Sequence, residues 1–168
     1  GSACILDLYW GDVDFASGTA PVMISSAFDV LGYEFELSGA HLVSASGGLT
    51  AQQGFVTVLY PPFGMNSFTL DSDAPIPPST GMLTQLSIGV LDGATELCIE
   101  TPVFGAWDGT AFDVTIGDCV TIPIEGCMDA SACNHNPIAN IPTDTCTYAE
   151  ANHNCDGACI ANVDCAGD

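Results

Sequence analysis

The amino-acid sequence predicts an all-β fold: an antiparallel β-sandwich of jelly-roll type with about nine strands, followed by a small, disulfide-rich, loop-dominated C-terminal segment. Three observations carry this expectation. Apolar and polar residues alternate with period two in short runs up to residue 124. Clusters of Gly, Pro, Ser and Asp separate those runs, as turns do. No stretch holds a helical period over a useful length. With 168 residues, 48% of them hydrophobic, the chain can bury a core.

The first run is ACILDLYW (3–10), an apolar strand followed by the polar GDVDFASG. APVMISSAF (20–28) is the second. In the third, Tyr33, Phe35 and Leu37 face one way and Glu34 and Glu36 the other. HLVSA (41–45) and GFVTVLY (54–60) flank SGGLTAQQG (46–54), which reads as a turn. PPFG (61–64) turns the chain into NSFTLD (66–71), and DAPIPPSTG (73–81) reads as another turn before the alternation of Leu86, Ile88 and Val90. ELCIET (96–101) precedes the turn AWDG (106–109), and the last alternations are Phe112, Val114, Ile116 and Val120, Ile122, Ile124. The sandwich is therefore expected over residues 1–124 and the Cys-rich tail over 125–168, with no run near the roughly 18 apolar residues of a membrane span.

Charge narrows the function. There are 21 Asp and Glu residues and no Lys or Arg, a net charge of −21. Phosphate backbones and anionic membranes are bound through Lys and Arg, so nucleic acid and membrane surfaces are not expected partners. Schiff-base chemistry, P-loop lysines and arginine clamps are excluded for the same reason. The imidazoles are His41, His135 and His153, and no G-x-S-x-G elbow, HExxH or P-loop occurs. Carboxylates at Glu34, Glu36, Glu96 or Glu100 would be needed for a glycosidase pair, but Glu34 and Glu36 lie on the outward face of an alternating strand. The chain reads as a non-enzyme.

The run TAPVMISSAFDVLGYEFELSGAHLVSASGGL, with STGMLTQLSIGV and FGAWDGTAFDVTIGD, resembles cohesin-like modules, the extracellular sandwiches of cell-surface assemblies, over roughly Asp7 to Ile124. The resemblance implies the fold, an extracellular or cell-surface setting, and either dockerin binding or service as a structural repeat. The tail GCMDASACNHNP, continuing through CTYAEANHNCDGAC, is similar to Cys-rich GC-D-x-x-AC-N-x-N-P segments of surface proteins of aquatic bacteria, with PTDTC where an acidic DDGSC is expected.

Nine cysteines point to an oxidising compartment. Within the sandwich, Cys98 and Cys119 are expected to bridge a late strand to the last one. Cys127, Cys133, Cys146, Cys155, Cys159 and Cys165 are expected to form three bridges whose pairing the sequence leaves open. Zinc stays open on spacing alone, but a segment with so few apolar residues is usually stapled by disulfides. Cys4 is left over, as a free thiol or an intermolecular bond.

Cys4 opens the apolar strand containing Ile5, Leu6, Leu8, Tyr9 and Trp10, so residues 1–10 can either pair as an edge strand of their own sandwich or act as an exchangeable strand that completes a neighbour's sheet. Head-to-tail repetition would then build a filament of identical copies, a homopolymer. Packing acidic copies favours a divalent cation, and calcium is the candidate cofactor, with Asp12 and Asp14, Asp71 and Asp73, and Asp108 and Asp113 as ligand pairs. The main functional expectation is thus a self-assembling extracellular structural subunit. The alternatives are a monomeric module for a dockerin-like partner or a glycan, the latter through Tyr9, Trp10, Tyr60, Phe63 or Trp107, and one unit of a tandem surface polyprotein, since GSAC and CAGD read as two cuts through one repeat. Ser79 and Thr80 are candidate O-glycosylation sites in APIPPST.

Overall fold

Residues 5–106 and 109–160 are described by a computed structural model of the chain. Two units, Gly1–Ile122 and Pro123–Asp168, have separate sets of internal contacts. The first contains β1 (Ile5–Trp10), β2 (Thr19–Ser26), β3 (Gly32–Ser38), β4 (Ala40–Ser46), α1 (Gly48–Gln52), β5 (Val56–Tyr60), β6 (Gly64–Phe68), β7 (Ser79–Val90), β8 (Glu96–Gly105), β9 (Asp113–Ile116) and β10 (Val120–Thr121). They form two five-stranded sheets of order β4-β7-β2-β1-β9 and β10-β8-β3-β6-β5.

Period-two alternation becomes two faces. In β3, Tyr33, Phe35 and Leu37 are buried while Glu34 and Glu36 are exposed. In the other sheet Leu6, Leu8, Val22, Ile24 and Leu86 are wholly buried. These inner rows form the sandwich core, in which Tyr33 stacks on Phe35 and Phe104 at centroid separations of 6.0 and 5.2 Å.

Among the described residues of this unit all strand pairs are antiparallel except one: β1 runs parallel to β9, Ile5 to Leu8 facing Asp113 to Ile116. Of the two placements open to the first strand, pairing in its own sandwich is the one seen in this chain. Ile5–Trp10 lies between β2 and β9 in its own sheet, hydrogen-bonded on both sides, with Leu6 and Leu8 in its own core. A strand paired on both edges offers no free edge to a neighbour.

SGGLTAQQG, read as a turn, instead contains one turn of helix. Thr50, the buried residue of α1, explains it. Its hydroxyl donates to the Leu83 carbonyl of β7 at 2.7 Å and accepts from the Tyr33 hydroxyl of β3 at 2.8 Å. One small side chain thus joins both sheets. Burial pushes the Tyr33 phenol up to about 12, so it is a neutral donor at any physiological pH. Gly48 makes the seat: it has φ 65°, and a Cβ there would stand 2.4 Å from the Leu83 carbonyl oxygen.

Two further boundaries differ from the sequence reading. β7 already begins at Ser79, inside the expected DAPIPPSTG turn, and Val120–Ile124 forms a strand only at Val120–Thr121, just before Pro123, which lacks an N–H. β8 also carries a bulge. Glu36 faces Glu100 and Glu34 faces Val103, so Thr101 and Pro102 together oppose Phe35, and Thr101 takes φ 44°. The extra residue returns Phe104 to the core and Val103 to the outside.

The second unit holds β11 (Glu125–Gly126) and β12 (Ile141–Pro142), a short parallel pair, and turns for most of the rest. Disulfides join Cys98 to Cys119 in the first unit and Cys127 to Cys146 and Cys133 to Cys155 in the second. Cys159 is disulfide-bonded as well; Cys4 and Cys165 lie outside the described residues. Asn side chains shape the turns between the bridges. Asn134 accepts from Thr147 N–H and donates to the Thr145 carbonyl, and Asn154 accepts from Asp156 and Ala158 N–H.

Tyr33→Phe removes one buried hydrogen bond while Thr50 keeps Leu83, so urea denaturation is expected to show a loss of about 1 to 2 kcal/mol. Replacing Cys98 and Cys119 together by Ala opens a bridge of sequence separation 21, and the same measurement is expected to show a loss of roughly 3 kcal/mol.

Candidate functional site

The outer face of the β10-β8-β3-β6-β5 sheet is assembled row by row from its registers. Val58, Asn66, Glu34 and Val103 lie across it in one row, and Tyr60, Gly64, Glu36 and Glu100 in the next. Val56, Phe68, Gly32 and Gly105 form the row on the other side. Val56, Val58, Tyr60 and Val103 are between 38% and 49% exposed, which makes an apolar patch on a sheet face where solvating residues are the rule. β5 is the edge strand of this sheet, and its alternate residues Val56, Val58 and Tyr60 face out.

The glycines shape the face. A Cβ on Gly64 would lie 1.9 Å from Cε2 of Tyr60, so the absence of a side chain lets the tyrosine ring lie down across β6. Gly32 and Gly105 face each other across β3 and β8 and leave a hollow of about 410 Å³, rimmed by Glu34, Asn66, Phe68, Val103 and Ala106.

The polar groups here are mostly acceptors. Glu36 stands directly opposite Glu100, and Glu100 Oε1 accepts from the Ser38 hydroxyl at 2.8 Å. Asn66 Oδ1 is shielded from solvent and has no hydrogen-bond partner among the described residues. The Tyr60 phenol is held above its ordinary range by burial first, then by the negative charge of Glu34 and Glu36. Chemically, the face offers no nucleophile and base in contact; it offers shape, apolar area and negative charge.

The candidate calcium ligands are occupied differently. Asp14 caps its own turn: its carboxylate accepts from Ala16 N–H at 2.9 Å, Ser17 N–H at 3.3 Å and the Ser17 hydroxyl at 2.7 Å. Those bonds, the Ser17 hydroxyl first, hold it below the usual carboxylate range. Asp71 accepts from Asp73 N–H at 2.9 Å. Asp12 is exposed, Asp113 pairs with Ile5 at the start of β9, and Asp108 lies outside the described residues. Among the described residues, one trio of ligand-type side chains converges, Glu96 with Cys98 and Cys119, and its two sulfurs are bonded to each other.

Ser79 and Thr80 stand at the start of β7, where Ser79 donates to the Pro77 carbonyl and Thr80 bonds Ser25 across the strands. Of the candidate aromatics, Tyr60 is on the patch, Phe63 in the turn after β5, Tyr9 and Trp10 in β1 on the other sheet, and Trp107 outside the described residues. In the second unit Asp129 accepts from Ser131 N–H, the Ser131 hydroxyl and the Tyr148 hydroxyl, which hold it below the carboxylate range.

Val56, Val58, Asn66 and Val103 were not anticipated as site residues. The signal was present for β5: GFVTVLY is apolar on both faces, although only one can enter the core of a two-layer sandwich. Val103 had no signal, because its outward orientation depends on the bulge at Thr101.

No protein-family model matches the chain, and no curated protein matches it. Solved structures do. The third ScaC cohesin of Acetivibrio cellulolyticus, in complex with the ScaB dockerin, has a TM-score of 0.53 at 16% identity and covers 70% of this chain and 98% of its own. The third ScaB cohesin of R. flavefaciens, in complex with a group 1 dockerin, scores 0.53 at 10% identity, covering 72% and 96%. A non-cellulosomal cohesin of the archaeon Archaeoglobus fulgidus scores 0.50 at 19% identity, covering 70% and 90%. At such identities the likeness is one of fold: this chain contains a cohesin-like all-β sandwich.

Replacing Glu34 and Glu36 by Gln is expected to move the Tyr60 titration midpoint down toward the ordinary phenol value while the burial contribution remains, read by NMR of the labelled ring. An unmoved midpoint would place the carboxylates away from the ring.

Proposed function

We propose that this chain is a non-catalytic extracellular binding module whose first unit docks a folded protein partner, dockerin-like in kind, on the outer face of the β10-β8-β3-β6-β5 sheet. The observation that carries the reading is the exposed apolar patch of Val56, Val58, Tyr60 and Val103 on a sheet face that has no covering layer among the described residues. Rigid β-strands hold those side chains in fixed register, which lowers the ordering cost of binding. The cohesin structures that share the fold were solved with dockerins bound in two of the three cases above, which supports a partner of that kind.

Disulfides in both units fit an oxidising, extracellular setting. The self-assembling filament, the main expectation from the sequence, drew on Cys4 and a detachable first strand, and the position of β1 inside its own sheet lends it no support. The docking reading needs no rearrangement of that core.

The test is calorimetric titration of the whole chain with a panel of dockerin domains, including those in the two complexes named above. At least one is expected to bind, and Val58→Asp or Tyr60→Ala is expected to weaken it by roughly tenfold or more, whereas His41→Ala on the opposite sheet leaves affinity unchanged. Binding that survives both patch variants, or no binding by any dockerin, would overturn the assignment.

A further inference from the structure

A sheet edge presents unpaired N–H and C=O groups to any passing strand, and natural edges are blunted by charge, proline, a bulge or short length. Among the described residues the sandwich has four edge strands, β4, β9, β10 and β5. β4 carries a bulge between Leu42 and Ser44, and its Leu42 N–H already donates to the Pro62 carbonyl at 2.8 Å. β9 is four residues long and opens on Asp113. β10 has two residues. β5 has none of these protections. Val56–Tyr60 contains no charge and no proline, and its register with β6 runs unbroken from Val56 opposite Phe68 to Tyr60 opposite Gly64.

The distribution of charge points to the same edge. Of the 21 acidic residues none falls between Leu37 and Leu70, the stretch that supplies β4, α1, β5 and β6. A second copy, carrying −21 and no Lys or Arg, can approach closely only where carboxylates are absent. The first acids met across the sheet from β5 are Glu34 and Glu36 of β3, two strands in. Were β5 to pair with its own copy, five strand spacings, about 24 Å, would separate β3 from the β3 of the other molecule. That is well beyond the Debye length of roughly 8 Å at physiological ionic strength, so the carboxylates of the two sheets are screened from each other.

We propose that β5 pairs antiparallel with β5 of a second copy, about a twofold axis at Val58, and so joins two five-stranded sheets into one. Val58 then stands opposite the partner's Val58, and Val56 opposite the partner's Tyr60, a β-branched residue against an aromatic, which is a favourable cross-strand pair. Thr57 faces the partner's Leu59. Both point inward yet are only half-buried in the single chain, so pairing gives them cover. The contact is isologous and closes at two copies, so it builds no filament. It goes beyond the docking reading and does not depend on it. An axis perpendicular to the sheet keeps both outer faces open on one side, so the two apolar patches become one continuous surface.

The experiment is sedimentation velocity of the whole chain from about 1 µM to about 1 mM. The mass is expected to rise with concentration from 17.3 kDa to twice that value. Because like charge opposes the pairing, raising NaCl from about 0.05 M to about 0.5 M is expected to tighten it about fivefold. Val58→Asp sets two carboxylates against each other on the axis and is expected to leave only monomer, with an unchanged near-UV circular dichroism spectrum showing that the fold survives. Val58→Cys is expected to give a covalent dimer under dissolved oxygen, two thiols being oxidised to one disulfide. Directly opposite residues of an antiparallel pair have Cα atoms about 4.5 to 5.5 Å apart, within disulfide reach. Val103→Cys, exposed on the same face but on the interior strand β8, is the control and is expected to give no covalent dimer.

A single 17.3 kDa species up to the highest concentration would overturn the inference. So would a dimer that Val58→Asp leaves intact, or cross-linking of Val103→Cys as efficient as that of Val58→Cys. The two readings fail separately: a monomer that binds a dockerin removes only the twofold pairing, and a dimer that binds none removes only the docking assignment.

Discussion

The constraint on which the rest of this structure depends is the absence of any fixed positive side chain. With 21 acidic residues and no Lys or Arg, no carboxylate can be neutralised by an ion pair with a basic side chain other than histidine. Burying a lone carboxylate is prohibitively unfavourable, so the acids are confined to the outside. Among the described residues the buried polar side chains bear this out: Ser26, Thr50, Ser67 and Thr84 are all hydroxyls. Polar links through the core are correspondingly neutral, from Tyr33 through Thr50 to the Leu83 carbonyl, and from Thr57 to Ser67. Carboxylates that take partners take backbone N–H groups and hydroxyls instead, as Asp14, Asp71 and Asp129 do.

The two units answer the same constraint by different means. The first has enough apolar side chains to enclose between two sheets, and its disulfide fastens the two-residue strand β10 to β8 at the sheet edge. Among its described residues the second has Cys127 and Ala132 as its buried apolar residues, and it relies on cross-links and Asn- or Asp-mediated turns. In such a segment a histidine between two asparagines is part of the turn chemistry: His153 Nδ1 lies 2.9 Å from the Ala151 carbonyl.

Much of the first unit was legible because period-two alternation has one physical meaning when a single face is buried. The pattern of β3 transfers residue by residue, and the fold class follows from repeating it. What failed to show in the sequence depends on long-range partners. Nothing local to Ile5–Trp10 says that it will be gripped from both sides, since one of its neighbours, β9, lies more than a hundred residues later in the chain. The single turn at Gly48–Gln52 is too short for a helical period and exists because Thr50 meets two sheets. The candidate site was half visible: Glu34 and Glu36 were read as outward and Tyr60 as a possible contact, but nothing local placed Val56, Val58 and Val103 beside them on one face.

The bulge at Thr101 and Pro102 changes how this chain should be aligned with others. Because side-chain direction along a strand has a parity, one extra residue inverts the inside and outside assignment of everything beyond it. A relative that lacked this residue while keeping the Val-Phe order after it would turn Phe104 to solvent and Val103 into the core. Single-residue gaps in β8 therefore carry more evolutionary information than substitutions there: a lineage that loses the insertion must rewrite the polarity of the downstream half-strand in the same step, or lose this face.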